Sequence, residues 1–501
     1  MEFIIQAFSM VFRPLSLLFV ILATTFGIVC GALPGLGPSM AVILLLPFTY
    51  NMDPIVGIIT LVAVNVGAQA GGSVSSILLR VPGTPSSIAT TFDGYPMALQ
   101  GKAGRALGLS FTASAFGSIF SAIAMLISAP LLAKVALKFQ SAEYFVLALL
   151  GLSCISSLGS KNQAKALISG CLGLLLSTIG LDSINGAERF IFGQSWLYGG
   201  IDYIPVMIGA YAIAEVYKNI SINCGDKVQE GKVEKDAKFE FIKFKEILSK
   251  WKTYVKASII GTIVGIIPAA GGSIAAFIAY GEEVRTSKTP ELFGTGIDEG
   301  VIAPEASNNG AVGGSLVPTL TLGIPGSPVA AIIMAAFMLH GLTPGPLLIQ
   351  QQPHMLYAIF IGIIVSSLLM VVLGKYISKE FAKILDLPYP LLAILIMILG
   401  IVGAYSLRNN FTDVLILFGF SFVGYFFDKF NYSNSAFVLG LILGGIAENS
   451  LRKQLIVDNG SWLGFVTRPL SLIILLISLA AFFNPFIKDF LSKRKEKSLD
   501  I

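Results

Sequence analysis

Two stretches of this chain bring hydroxyls, glycines and helix-breaking prolines together in regions that carry almost no charge. The first runs Gly71-Gly72-Ser73-Val74-Ser75-Ser76-Ile77-Leu78-Leu79-Arg80-Val81-Pro82-Gly83-Thr84-Pro85. The second runs Gly313-Gly314-Ser315-Leu316-Val317-Pro318-Thr319-Leu320-Thr321-Leu322-Gly323-Ile324-Pro325-Gly326-Ser327-Pro328. In each, Gly-Gly-Ser is followed about ten residues later by Pro-Gly-(Thr or Ser)-Pro. Prolines two residues apart break a helix, and broken helix at membrane depth is tolerated only where protein or a watery cavity satisfies the freed backbone groups. Free N–H groups at a helix start attract carboxylates, whereas free carbonyls with hydroxyl or amide oxygens can hold a cation. The chemistry on offer is therefore anion recognition with a coupled cation.

Polar residues near the breaks divide along the same line. Gly71, Gly72, Ser73, Pro82, Gly83, Thr84, Gly313, Gly314, Ser315, Pro325, Gly326 and Ser327 form the expected substrate site, with Ser73, Thr84, Ser315 and Ser327 as its hydroxyl ligands. Arg80 joins them as the one base inside a cassette. It would meet a carboxylate bidentately, or else snorkel to the surface. Asn65, Ser75, Ser76, Asn308, Asn309 and Glu305 form the expected cation site, since amides and hydroxyls in hydrocarbon are costly without partners. Glu305 lies three residues before Asn308, so on a helix the two would share a face; it either couples a cation or simply ends a loop.

The elements that position these residues are membrane helices. Of 501 residues 54% are hydrophobic and 13% charged, against about 25% charged in a soluble domain. The four cysteines, Cys30, Cys154, Cys171 and Cys224, form neither a CxxC pattern nor a disulfide framework. Two histidines without HExxH give no zinc site, and no Walker A pattern is present, so neither a metalloenzyme nor an ATP-driven pump is indicated. No covalent chemistry and no cofactor beyond a coupling ion is expected. The charge-free N-terminal run, Pro14 to Met52, is too long for a cleavable signal and reads as a retained membrane segment.

Charge-free gaps then place spans at Pro54 to Leu79, Ala106 to Ala133, Tyr144 to Ser160 and Ala166 to Leu181, with a shorter run at Tyr203 to Ala214. Later gaps are Ala257 to Gly281, the long run between Glu305 and Lys375, Leu387 to Leu407, Val414 to Phe427, Phe430 to Ala447 and Pro469 to Ile487. The expectation is an all-α polytopic membrane protein of roughly eleven or twelve crossings with re-entrant pieces. Residues 1–216 form a first membrane repeat, 217–256 a basic linker, 257–487 a second repeat with additional spans, and 488–501 a basic tail. Linker and tail are assigned to the cytoplasm by their lysines, and the protein to the cell membrane.

Landmarks recur at nearly constant spacing. Gly27, Gly31 and Pro34 match Gly261, Gly265 and Pro268 at an offset of 234 (261 − 27). The Gly-Gly-Ser motifs are offset by 242 (313 − 71) and the Pro-Gly-x-Pro motifs by 243 (325 − 82). Asp93-Gly94-Tyr95-Pro96 and His340-Gly341-Leu342-Thr343-Pro344 follow the two cassettes in turn. Internally repeated, probably inverted halves with broken helices in matching places are the signature of secondary transporters. Small residues at Gly31 or Gly265 could equally serve only to let helices pack.

These motifs resemble the TctA family, the large membrane subunit of the tripartite tricarboxylate transporters. The likeness is densest at Gly31 to Tyr50, Gly71 to Gly108, Gly261 to Ala275 and Ala303 to Pro346. The resemblance implies uptake of citrate or another carboxylate driven by Na+ or H+. It also implies a small membrane subunit (TctB-like), an extracytoplasmic substrate-binding protein (TctC-like) and an elevator-like movement. Few acids lie in the apolar runs, which weighs against a proton relay of carboxylates and toward sodium held by carbonyls and hydroxyls. The alternative class is an anion or ion channel that uses the same broken helices as a filter.

Overall fold

A computed structural model describes residues 2–33, 36–136, 139–153, 163–182, 184–223, 239–267, 271–385, 389–480 and 482–483. The basic tail, 488–501, lies outside them, as do Pro34-Gly35 and residues 268–270. Among the described residues the chain is all-α apart from one two-stranded hairpin. Its first half runs α1 (Glu2–Val11), α2 (Pro14–Ala32), α3 (Pro38–Leu45), α4 (Pro54–Leu79), α5 (Thr91–Leu99), α6 (Ala103–Ala136), α7 (Ser141–Ser153), α8 (Gln163–Ser177), α9 (Tyr203–Met207) and α10 (Ala214–Asn223). The second runs α11 (Phe244–Ser249), α12 (Trp251–Ile266), α13 (Gly271–Thr286), α14 (Asp298–Leu322), α15 (Pro328–Leu339), α16 (Pro346–Gln351), α17 (Pro353–Leu385), α18 (Tyr389–Arg408), α19 (Phe411–Lys429), α20 (Asn434–Val457) and α21 (Gly464–Thr467).

Among the described residues five helices are long and apolar enough to cross a bilayer: α2, α4, Ala103–Ser128 of α6, Pro353–Ile377 of α17, and α19. Shorter apolar helices, among them Pro38–Thr49, Ser141–Ser153 and Pro469–Ala480, accompany them. The protein is thus a multi-pass membrane protein. Burial sorts the spans: 94% of the α4 window is buried against 33% for α19. A helix apolar on every side must be enclosed by other helices, so α4 is central, while α19 leaves most of its apolar surface uncovered. Asp53 starts α4 by accepting the N–H groups of Ile55 at 3.0 Å and Val56 at 3.4 Å, with Pro54 at the first helical position.

Two helix pairs form the centre, α2 against α4 and α12 against α14. Their glycines touch the partner backbone. A Cβ on Gly27 would lie 2.3 Å from Val64 O, and one on Gly261 2.0 Å from Ser307 O. A Cβ on Gly31 would lie 2.0 Å from Ala68 O, and one on Gly265 2.7 Å from Ala311 O. In the other direction Gly67 faces Thr24 O at 2.4 Å and Gly310 faces Ser258 O at 3.1 Å. The contacts of the first pair recur in the second, with α2 and α12 offset by 234 (258 − 24) and α4 and α14 by 243 (307 − 64). Such close approach is possible only where no side chain intervenes.

The two long helices run in opposite directions. The end of α4 at Ile77 packs on Gly94, and the adjacent Asp93 carboxylate accepts the N–H groups of Gly294 (2.9 Å), Gly296 (2.9 Å) and Ile297 (3.1 Å) at the start of α14. At their other ends Gly57 of α4 lies against His340, while Gly323, which ends α14, lies against Pro344.

Charges collect at the two faces of the bundle. On one, Arg105 pairs with Glu240 (3.0 Å), Glu246 (2.9 Å) and Asp298 (2.8 Å), and Lys250 with Asp298 (3.1 Å) and Glu299 (2.8 Å). This face holds the described end of the linker from Phe239, residues 224–238 lying outside the description; α10 continues into the linker to Asn223, and α12 begins within it at Trp251. On the other, Asp182 of the hairpin loop is clamped by Arg452 and Arg189, with Glu448 bridging the two arginines. The Asn185 N–H and the Arg452 guanidinium hold the Asp182 carboxyl well below the usual carboxylate range.

Candidate substrate and ion site

The cassettes do not break at Gly-Gly-Ser. Helix α4 continues through Gly71, Gly72 and Ser73 to Leu79, and α14 through Gly313, Gly314 and Pro318 to Leu322, so their N–H groups remain in the helical ladder. Only the Pro-Gly-x-Pro segments are broken. Packing also shifts the register by one residue: Gly71 faces Ile28 O at 2.3 Å, and its counterpart is Gly314, which faces Thr262 O at 2.5 Å. Gly72 then corresponds to Ser315. A Cβ on Gly72 would lie 2.6 Å from Thr84 Oγ1, and Ser315 Oγ lies 3.4 Å from Ser327 Oγ. Gly313 instead packs on Ser121 of α6.

Each long helix ends in a left-handed residue, Arg80 at φ 60° and Gly323 at φ 68°. The chain then turns over a glycine set on the partner pair: a Cβ on Gly83 would lie 2.2 Å from Gly31 O, and one on Gly326 2.7 Å from Ser315 O. A hydroxyl cap followed by proline starts the next helix. Thr84 Oγ1 accepts the Ser87 N–H at 3.3 Å, opening the 3-10 turn Pro85–Ile88, and Ser327 Oγ accepts the Ala330 N–H at 3.1 Å, opening α15. Thr84 and Ser327 therefore serve as caps, and Pro82 and Pro325 lie in the turns before them. Arg80 is exposed, with its guanidinium 5.7 Å from the Tyr95 ring centroid.

The remaining hydroxyls split. Ser73, Ser75 and Ser315 donate to carbonyls of their own helices, at Ala70 (2.6 Å), Gly72 (3.4 Å) and Val312 (3.0 Å). Ser76 spans the break, 2.8 Å from Ser87 Oγ. Between the two halves lies a polar seam: Gln69 Nε2 donates to Asn308 Oδ1 at 3.2 Å, Ser86 Oγ to Gln69 Oε1 at 3.5 Å, and Thr84 Oγ1 and Ser86 Oγ lie 3.1 Å apart. Gly272, in the first turn of α13, borders it, since a Cβ there would be 2.4 Å from Asn308 Oδ1 and 3.3 Å from Gln69 Nε2. The seam thus adjoins the Pro85 turn and the start of α13, and the latter favours negative charge. Asn65 and Asn308 occupy corresponding positions (308 − 65 = 243), and Asn65 Oδ1 and Asn308 Nδ2 are buried without a hydrogen bond. Both amides are thereby available to an incoming ligand.

Glu305 and Asn308 part company. Asn308 turns to the seam, while Glu305 lies on the α6 side of α14. There Thr90 Oγ1 donates to Glu305 Oε1 at 2.5 Å and Ser114 Oγ to Glu305 Oε2 at 2.9 Å. Asn309 Nδ2 donates to Ser114 Oγ at 2.8 Å and to Glu305 O at 3.2 Å. Sequence reading missed Thr90, Ser86, Ser87 and the serines of α6. The available signal was the spacing of Ser110, Ser114, Ser118 and Ser121, which places them along one helical face, all wholly buried. Ser110 Oγ donates to Ser73 Oγ at 2.6 Å, tying α6 to α4.

No solved structure matches this chain. Two curated relatives, both from Agrobacterium vitis, are similar to it. One, described as an uncharacterized 52.8 kDa protein in the TAR-I ttuC' 3' region, is 35% identical over 97% of this chain and 96% of its own length. The other, an uncharacterized protein in the TAR-II ttuC' 3' region, is 36% identical over 47% of this chain and 98% of its own. The sequence pattern of the tripartite tricarboxylate transporter TctA family matches residues 17–439, and the chain belongs to that family.

Proposed function

We propose that this chain is the transport subunit of a binding-protein-dependent tripartite system, and that it takes up a tricarboxylate or other small carboxylate across the cytoplasmic membrane by cation-coupled secondary transport. Its partners are a small membrane subunit and an extracytoplasmic binding protein. The observation that carries the reading is the seam of Gln69, Asn308, Ser86 and Thr84, where helix starts from both halves meet buried amides. Backbone N–H groups and amide donors hold a carboxylate without a buried arginine, whose desolvation would be costly. The recurring contacts at offsets of 234 (258 − 24) and 243 (307 − 64), in helices that run in opposite directions, support an inverted duplication. The face with Arg105, Lys250 and the linker is assigned to the cytoplasm.

The coupling ion is Na+ or H+. Asn65, Asn308 and Asn309 supply amide oxygens for the first, and Glu305 a carboxyl for either. The test is counterflow of radiolabelled citrate in proteoliposomes holding all three components. Saturable exchange is expected for citrate or for whichever carboxylate the binding protein retains. Conductive, non-saturating flux would overturn the transporter reading in favour of a channel.

A further inference from the structure

We infer that Glu305 is the proton-carrying group of the transport cycle, held neutral while α5, α6 and α14 are closed upon it and ionised only when they part. The inference rests on the transporter reading above and names its coupling ion.

The Glu305 side chain is wholly buried, and its hydrogen-bond partners are two hydroxyls, those of Thr90 and Ser114. No described base pairs with it. Arg105 of α6 is engaged by Glu240, Glu246 and Asp298, and Lys256 of α12 by Glu283. Arg285 of α13 pairs with Glu282, and Lys250 holds Asp298 and Glu299 at the start of α14. Asp93 of α5 is bound by backbone N–H groups and by the Tyr280 hydroxyl at 2.9 Å. Helix α4 carries no charge between Pro54 and Leu79. Tyr254 of α12 packs its ring on Phe116 of α6, and its hydroxyl has no hydrogen-bond partner among the described residues. An ionised carboxylate so enclosed and unpaired costs several kcal/mol, about what a proton removes.

The hydrogen bonds say where that proton sits. Asn309 Nδ2 donates to Ser114 Oγ, so the Ser114 hydroxyl hydrogen points onward to Glu305 Oε2. Oε2 is thus an acceptor. The proton then belongs on Oε1: in the neutral state the 2.5 Å contact with Thr90 reverses, Oε1–H donating to Thr90 Oγ1, and on ionisation the Thr90 hydroxyl donates back to Oε1. The corresponding position in the first half is Val62 (305 − 243), so this group exists on one side only. Thr90 precedes α5, which follows the first helix break directly, so movement at the Thr84–Ser87 turn would open the carboxyl to water. The cycle then balances: one proton binds Glu305 from the outer side with substrate and leaves to water on the inner side.

Two measurements test this on the full chain. In proteoliposomes with the partner subunits, wild-type protein should accumulate citrate about tenfold for one unit of inward pH gradient at zero membrane potential, if one proton moves per substrate. Glu305→Gln should accumulate none above equilibrium, its exchange should no longer respond to pH, and Glu305→Asp should restore a pH response. Accumulation by Glu305→Gln equal to wild type, or wild-type accumulation that follows a sodium gradient and ignores pH, would overturn the inference while leaving the transporter reading intact. The second needs no substrate: infrared spectra of purified wild type at neutral pH should show a protonated-carboxyl band that Glu305→Gln lacks. Identical spectra would overturn the inference.

Discussion

Helices α4 and α14 share a backbone frame and differ in what they carry on it. Both lie on a glycine-lined partner, end in a left-handed residue and pass through a Pro-Gly turn to a hydroxyl-capped proline. Both carry an asparagine in the same position, Asn65 and Asn308. Yet α4 has Val62 and Val66 where α14 has Glu305 and Asn309. Common features lie at the breaks and the seam, where the two halves meet. The features of α14 alone lie on its α6 side, away from the seam. On the proposed function, substrate recognition would be built on what the halves share, and ion coupling on what they do not.

The comparison is tested most severely by exchanging that difference. Val62→Glu places a carboxyl on α4 with no Thr90 or Ser114 beside it, and it should cost about 3–5 kcal/mol, read as loss of folded protein in detergent. Glu305→Val should cost less, about 1–2 kcal/mol for two hydroxyls left without acceptors, while abolishing accumulation. Equal stability of the two variants would show that the α14 nest is not special. Next come the crossing glycines. Gly31→Ala should cost about 1–3 kcal/mol, since its Cβ meets a backbone carbonyl at 2.0 Å, and Gly265→Ala less, because its contact is 2.7 Å. Thermal unfolding of both variants gives the order, and the reverse order would break the equivalence of the pairs.

Smaller effects sharpen the seam and the caps. Asn308→Ala removes the acceptor of Gln69 and should weaken folding by about 1 kcal/mol, whereas Asn65→Ala, whose Oδ1 has no partner within the chain, should leave stability nearly unchanged. Both should raise the KM for substrate. Thr84→Val and Ser327→Ala each remove a cap worth about 1 kcal/mol, the former more because Thr84 and Ser87 cap each other. Hydrogen exchange at Ser87 and Ala330 reads the two directly.

Much of this was legible in the sequence. Charge-free runs marked helices that need a bilayer, because every backbone polar group there must bond within its own segment. Glycines spaced four apart at Gly27, Gly31, Gly261 and Gly265 marked helix faces, and the Pro-Gly-x-Pro motifs marked the breaks, since proline removes a donor and glycine alone tolerates the close approach. What the sequence left open is what lies across from each group. Gly-Gly-Ser looked like part of the break, and only packing showed it inside a helix with Gly71 matched to Gly314. Glu305 looked paired with Asn308, because local spacing reports a helix face only coarsely. Its partners, Thr90 and Ser114, lie on helices far away in the chain. Periodicity along one helix states which side is polar, whereas a hydrogen bond is decided by how neighbouring helices cross, and that is a property of the tertiary structure alone.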